Sequence, residues 1–172
     1  ETRISMKNFI NANSKEEIIF TKNATESINL VASTFGQYNI KKGDEILITE
    51  LEHHSNYVPW HYLRESKGAI IKFAPINDEG DIIISEFEKL ISSKTKIIAV
   101  THLSNVTGTI VPVKEIIDIA HKKNIPVLVD GCQSAPHIKI DVKDLDCDFY
   151  AISCHKVYGP TGVGILYEKK KW

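Results

Sequence analysis

Arginine is almost absent from this chain. Its 172 residues include two, Arg3 and Arg64, against nineteen lysines, so the planar fork that grips carboxylates and phosphates bidentately is in short supply. An excess of either charge is missing too: 21 basic and 22 acidic residues leave a formal net charge of -1. No basic field suggests nucleic acid or an anionic membrane as a partner. No run approaches the roughly 20 apolar residues of a membrane-crossing helix, and the opening ETRISMKNFI is no signal peptide. The three cysteines, Cys132, Cys147 and Cys154, form no CxxC pair and no even framework, which fits a reducing, cytoplasmic setting. Neither nucleotide fingerprint is met, because GxxxxGK(S/T) does not occur and GPTGVG at 159–164 is not GxGxxG. Repeats, low-complexity tracts and internal linkers are lacking as well. The length fits one domain or a piece of a larger one.

What is present is alternation. Short β-rich runs occur at 17–21, 45–49, 69–73, 95–103, 126–130 and 149–153, several nearly continuous in Ile and Val, as expected of strands buried on both faces of a parallel sheet. Helical stretches lie between them. TESINLVASTF (25–35) places Ile28, Val31, Ala32 and Phe35 at helical spacing, and SNYVPWHYLRES (55–66) carries Pro59 early, where a first turn tolerates it. SEFEKLI (85–91) reads as opening on Ser85 with Glu88 completing a capping box, and PVKEIIDIAHKKN (112–124) has proline in its first turn and lysines at its end. The pattern predicts an α/β three-layer sandwich on a mainly parallel sheet.

In such sheets ligands gather at the carboxyl ends of the strands, so the residues leaving each run matter. The first exit, KNATES, pairs Asn23 with Glu26 as a capping box that starts a helix near Ala24. Free N–H groups there, with the Thr25 hydroxyl, suit a phosphate, although alone this is no more than a well-capped helix. Asp130 closes VLVD, and a buried carboxylate there asks for a cationic partner such as a protonated heteroaromatic nitrogen. EHHSN offers two adjacent histidines; neighbours rarely ligate one metal, no HxxxH or CxxC completes a zinc site, and a neutral imidazole lying over an aromatic ring is the alternative. Lys156 ends FYAISCHK. An isolated lysine there would snorkel to solvent, whereas partial burial makes it a nucleophile for carbonyls. A Schiff-base lysine, an aspartate for a pyridinium and a helix start for a phosphate are together the protein's side of pyridoxal phosphate chemistry.

The stretch DGCQSAPHIKIDVKDLDCDFYAISCHKVYGPTGVGILY resembles the cofactor-binding region of class V, aminotransferase-fold pyridoxal phosphate enzymes. TKNATESINLVA, ELEHHSNYVPW and THLSNVTGT narrow the resemblance to Suf-type cysteine desulfurases and the similar selenocysteine lyases, over essentially the whole chain. The resemblance implies the fold type I large domain over residues 1–172, with pyridoxal 5'-phosphate as cofactor. It implies that Lys156 carries the cofactor, that His53 covers the pyridine face and that Asp130 pairs with the ring nitrogen. Gln133 would bond the phenolic oxygen, and Thr25, Ser153, His155 and the Ala24 N–H would hold the phosphate. Asn105 would lie near the phenolate and the substrate carboxylate, with His54 further out.

The implied reaction removes sulfur from L-cysteine to give L-alanine and an enzyme persulfide, which a Suf-system acceptor protein takes for Fe–S cluster assembly. A homodimer is implied as well. The family's persulfide cysteine, its substrate-gripping arginine and its small C-terminal domain have no counterpart here, and Arg64 matches none of them, so the chain alone is expected to be inactive. Cys132 and Cys154 stand where the family usually has smaller residues and read as small buried substitutions; Cys147 reads as core. A selenocysteine lyase or another class V lyase or aminotransferase is the alternative, and a non-enzymatic phosphate-binding α/β module is the second.

Overall fold

The computed structural model describes all 172 residues. Helix α1 (Thr2–Phe9) leads into strand β1 (Ile18–Thr21), and α2 (Ala24–Val31) follows, widening through a π-turn at Ala32–Gly36 into the short α3 (Gln37–Asn39). Strand β2 (Glu45–Thr49), a 3₁₀ turn at His54–Asn56, α4 (Val58–Lys67) and β3 (Ile70–Ala74) come next. Then follow α5 (Ile84–Leu90), β4 (Thr95–Thr101), α6 (Val113–His121), β5 (Val127–Asp130), α7 (Val142–Leu145), β6 (Phe149–Ser153), a 3₁₀ turn at Cys154–Val157, and β7 (Gly164–Glu168).

The seven strands form one sheet in the order β1-β7-β6-β5-β4-β2-β3. Strands β2 to β6 run parallel, while β7 is antiparallel to both β6 and β1. Successive side chains of a strand point to opposite faces, and the core divides accordingly. Leu47, Ile98, Val127, Val129 and Tyr150 join Phe87, Ile116 and Ile117 from α5 and α6 on one face. Ile46, Ile48, Ile97, Ala99, Leu128 and Phe149 join Ile28, Val31, Trp60 and Leu63 from α2 and α4 on the other. With each buried Leu, Ile or Val worth about 1.5–3 kcal/mol, both faces need their helices. The three-layer arrangement expected from the sequence is therefore present.

The local expectations fared unevenly. Pro59 does sit at the start of α4, and Gly68 ends that helix in the left-handed region at φ 72°. The capping box expected at Ser85 and Glu88 does not form. Helix α5 begins at Ile84 with Ile83 as its N-cap and no side-chain cap, because the Ile76–Ile82 bridge and the Ile83 N–H to Pro75 C=O bond set the chain's entry, and the fully buried Phe87 sets the helix phase. Asn23 does cap α2, its Oδ1 accepting from Glu26 N–H at 2.8 Å, but the Glu26 carboxylate accepts from Lys22 N–H rather than from Asn23. No helix is long and apolar enough to cross a membrane.

Candidate active site

The carboxyl ends of β2, β4, β5 and β6 and the first turn of α2 converge on a cavity of about 300 Å³. All nine expected residues line it. From α2 come Ala24 and Thr25; after β2 comes His53; after β4, Asn105; from β5 and the turn beyond, Asp130 and Gln133. Ser153, His155 and Lys156 complete the wall from the end of β6 and the 3₁₀ turn that follows. His54 is not among the lining residues; it borders a second cavity with Glu50, Glu52, Tyr57 and Phe73.

The helix start leaves one backbone donor unpaired. Its Asn23 cap takes the Glu26 N–H, and the Ala24 N–H donates to Ser153 Oγ at 3.0 Å. The Thr25 N–H has no acceptor in the protein. Such an orphan donor at a helix N-terminus favours an anion. Gly164 makes the arrangement possible: a Cβ there would lie 2.4 Å from the Asn23 carbonyl carbon, so only glycine lets β7 pass beneath the start of α2.

Asp130 is 4% exposed. Its Oδ1 accepts the Cys132 N–H at 3.0 Å, and no lysine, arginine or histidine of the chain pairs with it. A buried carboxylate in that position is complete only with a cation or donor from a ligand. Gly131 follows it for steric reasons, since a Cβ would fall 1.9 Å from the Tyr150 ring. That ring is held in place by His102 Nδ1 at 2.8 Å and Ser134 Oγ at 2.7 Å from its hydroxyl. Burial lowers the His102 imidazole to a pKa of about 4, so it stays neutral beneath the site.

His53 caps the 3₁₀ turn with its own ring: Nδ1 accepts the Ser55 N–H at 3.2 Å and lies 2.8 Å from Ser55 Oγ. The residue before it, Glu52, is a hub that the sequence reading passed over. Its Oε1 accepts from Thr49 Oγ1 at 2.6 Å and from Thr101 N–H at 2.9 Å, and its Oε2 from Asn56 Nδ2 at 2.6 Å. Burial drives the Glu52 carboxyl up to about 8, against those three donors and with the Asp130 charge adding to the rise. Thr101, Ser55 and Cys132 also line the main cavity and carry no periodic signal; membership of EHHSN is the one clue in the sequence for Glu52 and Ser55.

Burial raises all three thiols above their ordinary range. For Cys132 the neighbouring Asp130 carboxylate adds to the effect. None is poised as a thiolate, which agrees with reading Cys132 and Cys154 as small buried residues.

The aminotransferase class-V family model matches residues 1–172. A probable cysteine desulfurase of Halalkalibacterium halodurans is 55% identical over 168 residues, covering 98% of this chain and 41% of that protein. Among solved structures, the Escherichia coli cysteine desulfurase CsdA in its S-sulfonic acid form superposes with a TM-score of 0.96 at 39% identity, over 98% of this chain and 42% of that one. The apo cysteine desulfurase of Thermococcus onnurineus superposes at 0.94 with 43% identity, over 99% and 42%. The chain thus spans about two fifths of the length of these relatives. With the family model matching from end to end and the same fold in cysteine desulfurases, this chain belongs to the aminotransferase class-V family.

Proposed function

We propose that this chain is the large, cofactor-binding domain of a pyridoxal phosphate-dependent cysteine desulfurase. The observation that carries the reading is Asp130: a buried carboxylate without a cation of its own, lining the same cavity as Lys156 and the unpaired Thr25 N–H. The donor set suits the cofactor group by group. Asp130 would hold the pyridinium nitrogen, Gln133 and Asn105 the phenolic side, and His53 one ring face. Thr25, Ser153 and His155 would bind the phosphate beside the Ala24 N–H, and Lys156 would bind the aldehyde carbon covalently. Bound there, pyridoxal phosphate would supply the electron sink that weakens bonds at the α-carbon of L-cysteine.

The remaining work falls to the chain's own groups. Lys156 stands in the cavity as the amine that carries protons at the substrate's α-carbon. Asp130 would hold a protonated ring nitrogen and so stabilise the positive charge that draws electrons from the substrate. All three thiols here are buried and disfavoured as thiolates, so none of them is assigned the role of the nucleophile that takes the sulfur. Transfer onward to a Suf-type acceptor protein, a homodimeric assembly and a cytoplasmic location complete the reading.

The test is chemical. Whole protein loaded with pyridoxal phosphate should show a visible absorption band that borohydride abolishes, with the reduced label mapping to Lys156. Lys156→Ala should lose both. A label on another lysine, or a band that survives in Lys156→Ala, would overturn the assignment.

A further inference from the structure

We infer that Ser55 is a positioning residue that holds His53 in the tautomer protonated on Nε2, so that His53 faces the cavity as a hydrogen-bond donor and not as a base.

Two Ser55 groups meet the same ring nitrogen, the backbone N–H at 3.2 Å from Nδ1 and Oγ at 2.8 Å. The hydroxyl could donate or accept, so it does not decide the matter. The backbone N–H does, because it can only donate. A proton on Nδ1 would face the amide hydrogen of Ser55 across that short gap, with no acceptor between them. Nδ1 therefore carries the lone pair, Ser55 supplies two donors to it, and the single proton of the neutral imidazole resides on Nε2. Nε2 makes no hydrogen bond to the protein, and His53 is exposed where it lines the cavity with Lys156 and Asp130.

The local fold makes this geometry cheap to hold. His53 is the N-cap of the 3₁₀ turn His54–Asn56, with an extended backbone at φ -67° and ψ 151°, and its ring fills the capping role that a serine or aspartate side chain usually plays. The turn is in turn fastened from beneath. Asn56 donates to Glu52 at 2.6 Å, and its amide orientation is set by Trp60 Nε1, which donates to Asn56 Oδ1 at 3.3 Å. His53 thus has little freedom to rotate its ring out of register with Ser55.

The consequence deepens the proposed function and rests on its placement of His53 beside the cofactor. A ring that presents N–H toward the cavity can donate to an anionic or lone-pair-bearing group of the bound amino acid, and it leaves Lys156 as the base. The tautomer itself does not depend on the cofactor, which separates the two claims experimentally.

The experiment is nitrogen-15 NMR of histidine-labelled whole protein without cofactor, reading the two ring nitrogens of His53 through their couplings to the ring protons. The expected result is Nε2 protonated and Nδ1 unprotonated. Ser55→Ala keeps the amide donor but loses the hydroxyl, so the share of the Nδ1-protonated form should rise about fivefold, the loss of one neutral hydrogen bond. Ser55→Thr should restore the original ratio. Protonation on Nδ1 in the unaltered protein would overturn the tautomer, and an unchanged ratio in Ser55→Ala would overturn the part given to the Ser55 hydroxyl. Either failure leaves the borohydride label on Lys156 intact, and a misplaced label leaves the NMR result intact.

Discussion

Ser153 Oγ accepts the N–H of Ala24 at 3.0 Å across 129 residues of sequence, tying the end of β6 to the first turn of α2. Both residues are buried. The bond holds the end of β6 against the start of α2.

Replacing Ser153 by alanine leaves a buried N–H without a partner, which costs about 1–3 kcal/mol. Urea unfolding of the cofactor-free protein should show that loss. Ser153→Thr, which keeps the oxygen, should recover most of it. Pyridoxal phosphate should also bind Ser153→Ala more weakly in an equilibrium titration.

Gly164 pairs with Thr21 on one side and Ser153 on the other, and a Cβ there would meet backbone atoms of Asn23 at 2.4 and 2.5 Å. Backbone cannot swing aside as a flexible side chain can. Gly164→Ala should destabilise the protein by about 3 kcal/mol and weaken cofactor binding by displacing the Asn23 cap. A Gly164→Ala protein with an unchanged unfolding midpoint would contradict this packing.

Glu52 gives a pH signature. Its folded carboxyl is raised to about 8 from an ordinary 4.5, by burial first, so the folded state holds a proton that the unfolded chain has released. Stability should therefore fall as pH rises from about 4.5 to about 8 and level off above. Glu52→Gln should flatten that part of the profile. Urea midpoints followed across the range will show whether the two slopes differ, and equal slopes would rule the assignment out.

A second cluster of ionisable side chains surrounds Asp148. His121 reaches Asp146 at 3.1 Å and Asp148 at 2.9 Å, while Lys171 lies 2.8 Å from Asp148 and Lys169 pairs with Asp146. Burial by itself would raise the Asp148 carboxyl, but Lys171, His121, the Trp172 indole and the Val127 N–H together hold it below its usual 3.8. A depressed folded value means stability that is complete above the unfolded value and lost as pH falls through the folded one. His121→Ala should cost about 1–3 kcal/mol near neutrality and move the acid-unfolding midpoint to higher pH.

The thiols offer a direct readout. Cys132, Cys147 and Cys154 are all buried, and each is pushed above its ordinary range, by burial first. Maleimide at neutral pH should leave all three unmodified in the native protein and label all three after unfolding, as mass spectrometry of digests will show. Rapid native labelling of Cys132 would mean that it is available as a nucleophile after all.

Much of this site was visible in the amino-acid order because its residues sit just beyond apolar runs. Asp130 closes VLVD, Lys156 comes shortly after FYAIS and Thr25 lies in the helix start after IIFT, so the strand exits point to these residues, whereas Gln133, Asn105, Ser153 and His155 are reached only through the family resemblance. Ser55 and Glu52 escaped that logic. A serine beside a histidine pair has no periodicity, and a glutamate among polar neighbours looks solvated until Thr49, Asn56 and Thr101 are seen to surround it. The Ser85–Glu88 box failed for the opposite reason: its local pattern was good, but burial of Phe87 and the Ile76–Ile82 bridge settled where α5 begins.

Strand and helix content, the buried character of the parallel strands and the polar exits at their ends follow from local patterns, because side-chain period and hydrophobicity act within a few residues. The order β1-β7-β6-β5-β4-β2-β3, the antiparallel β7 and the bonds from Ala24 to Ser153 and from Glu52 to Thr101 do not. Those contacts join segments 49 to 129 residues apart, and they are chosen by competition for burial on two faces of one sheet. That competition exists only in the folded chain.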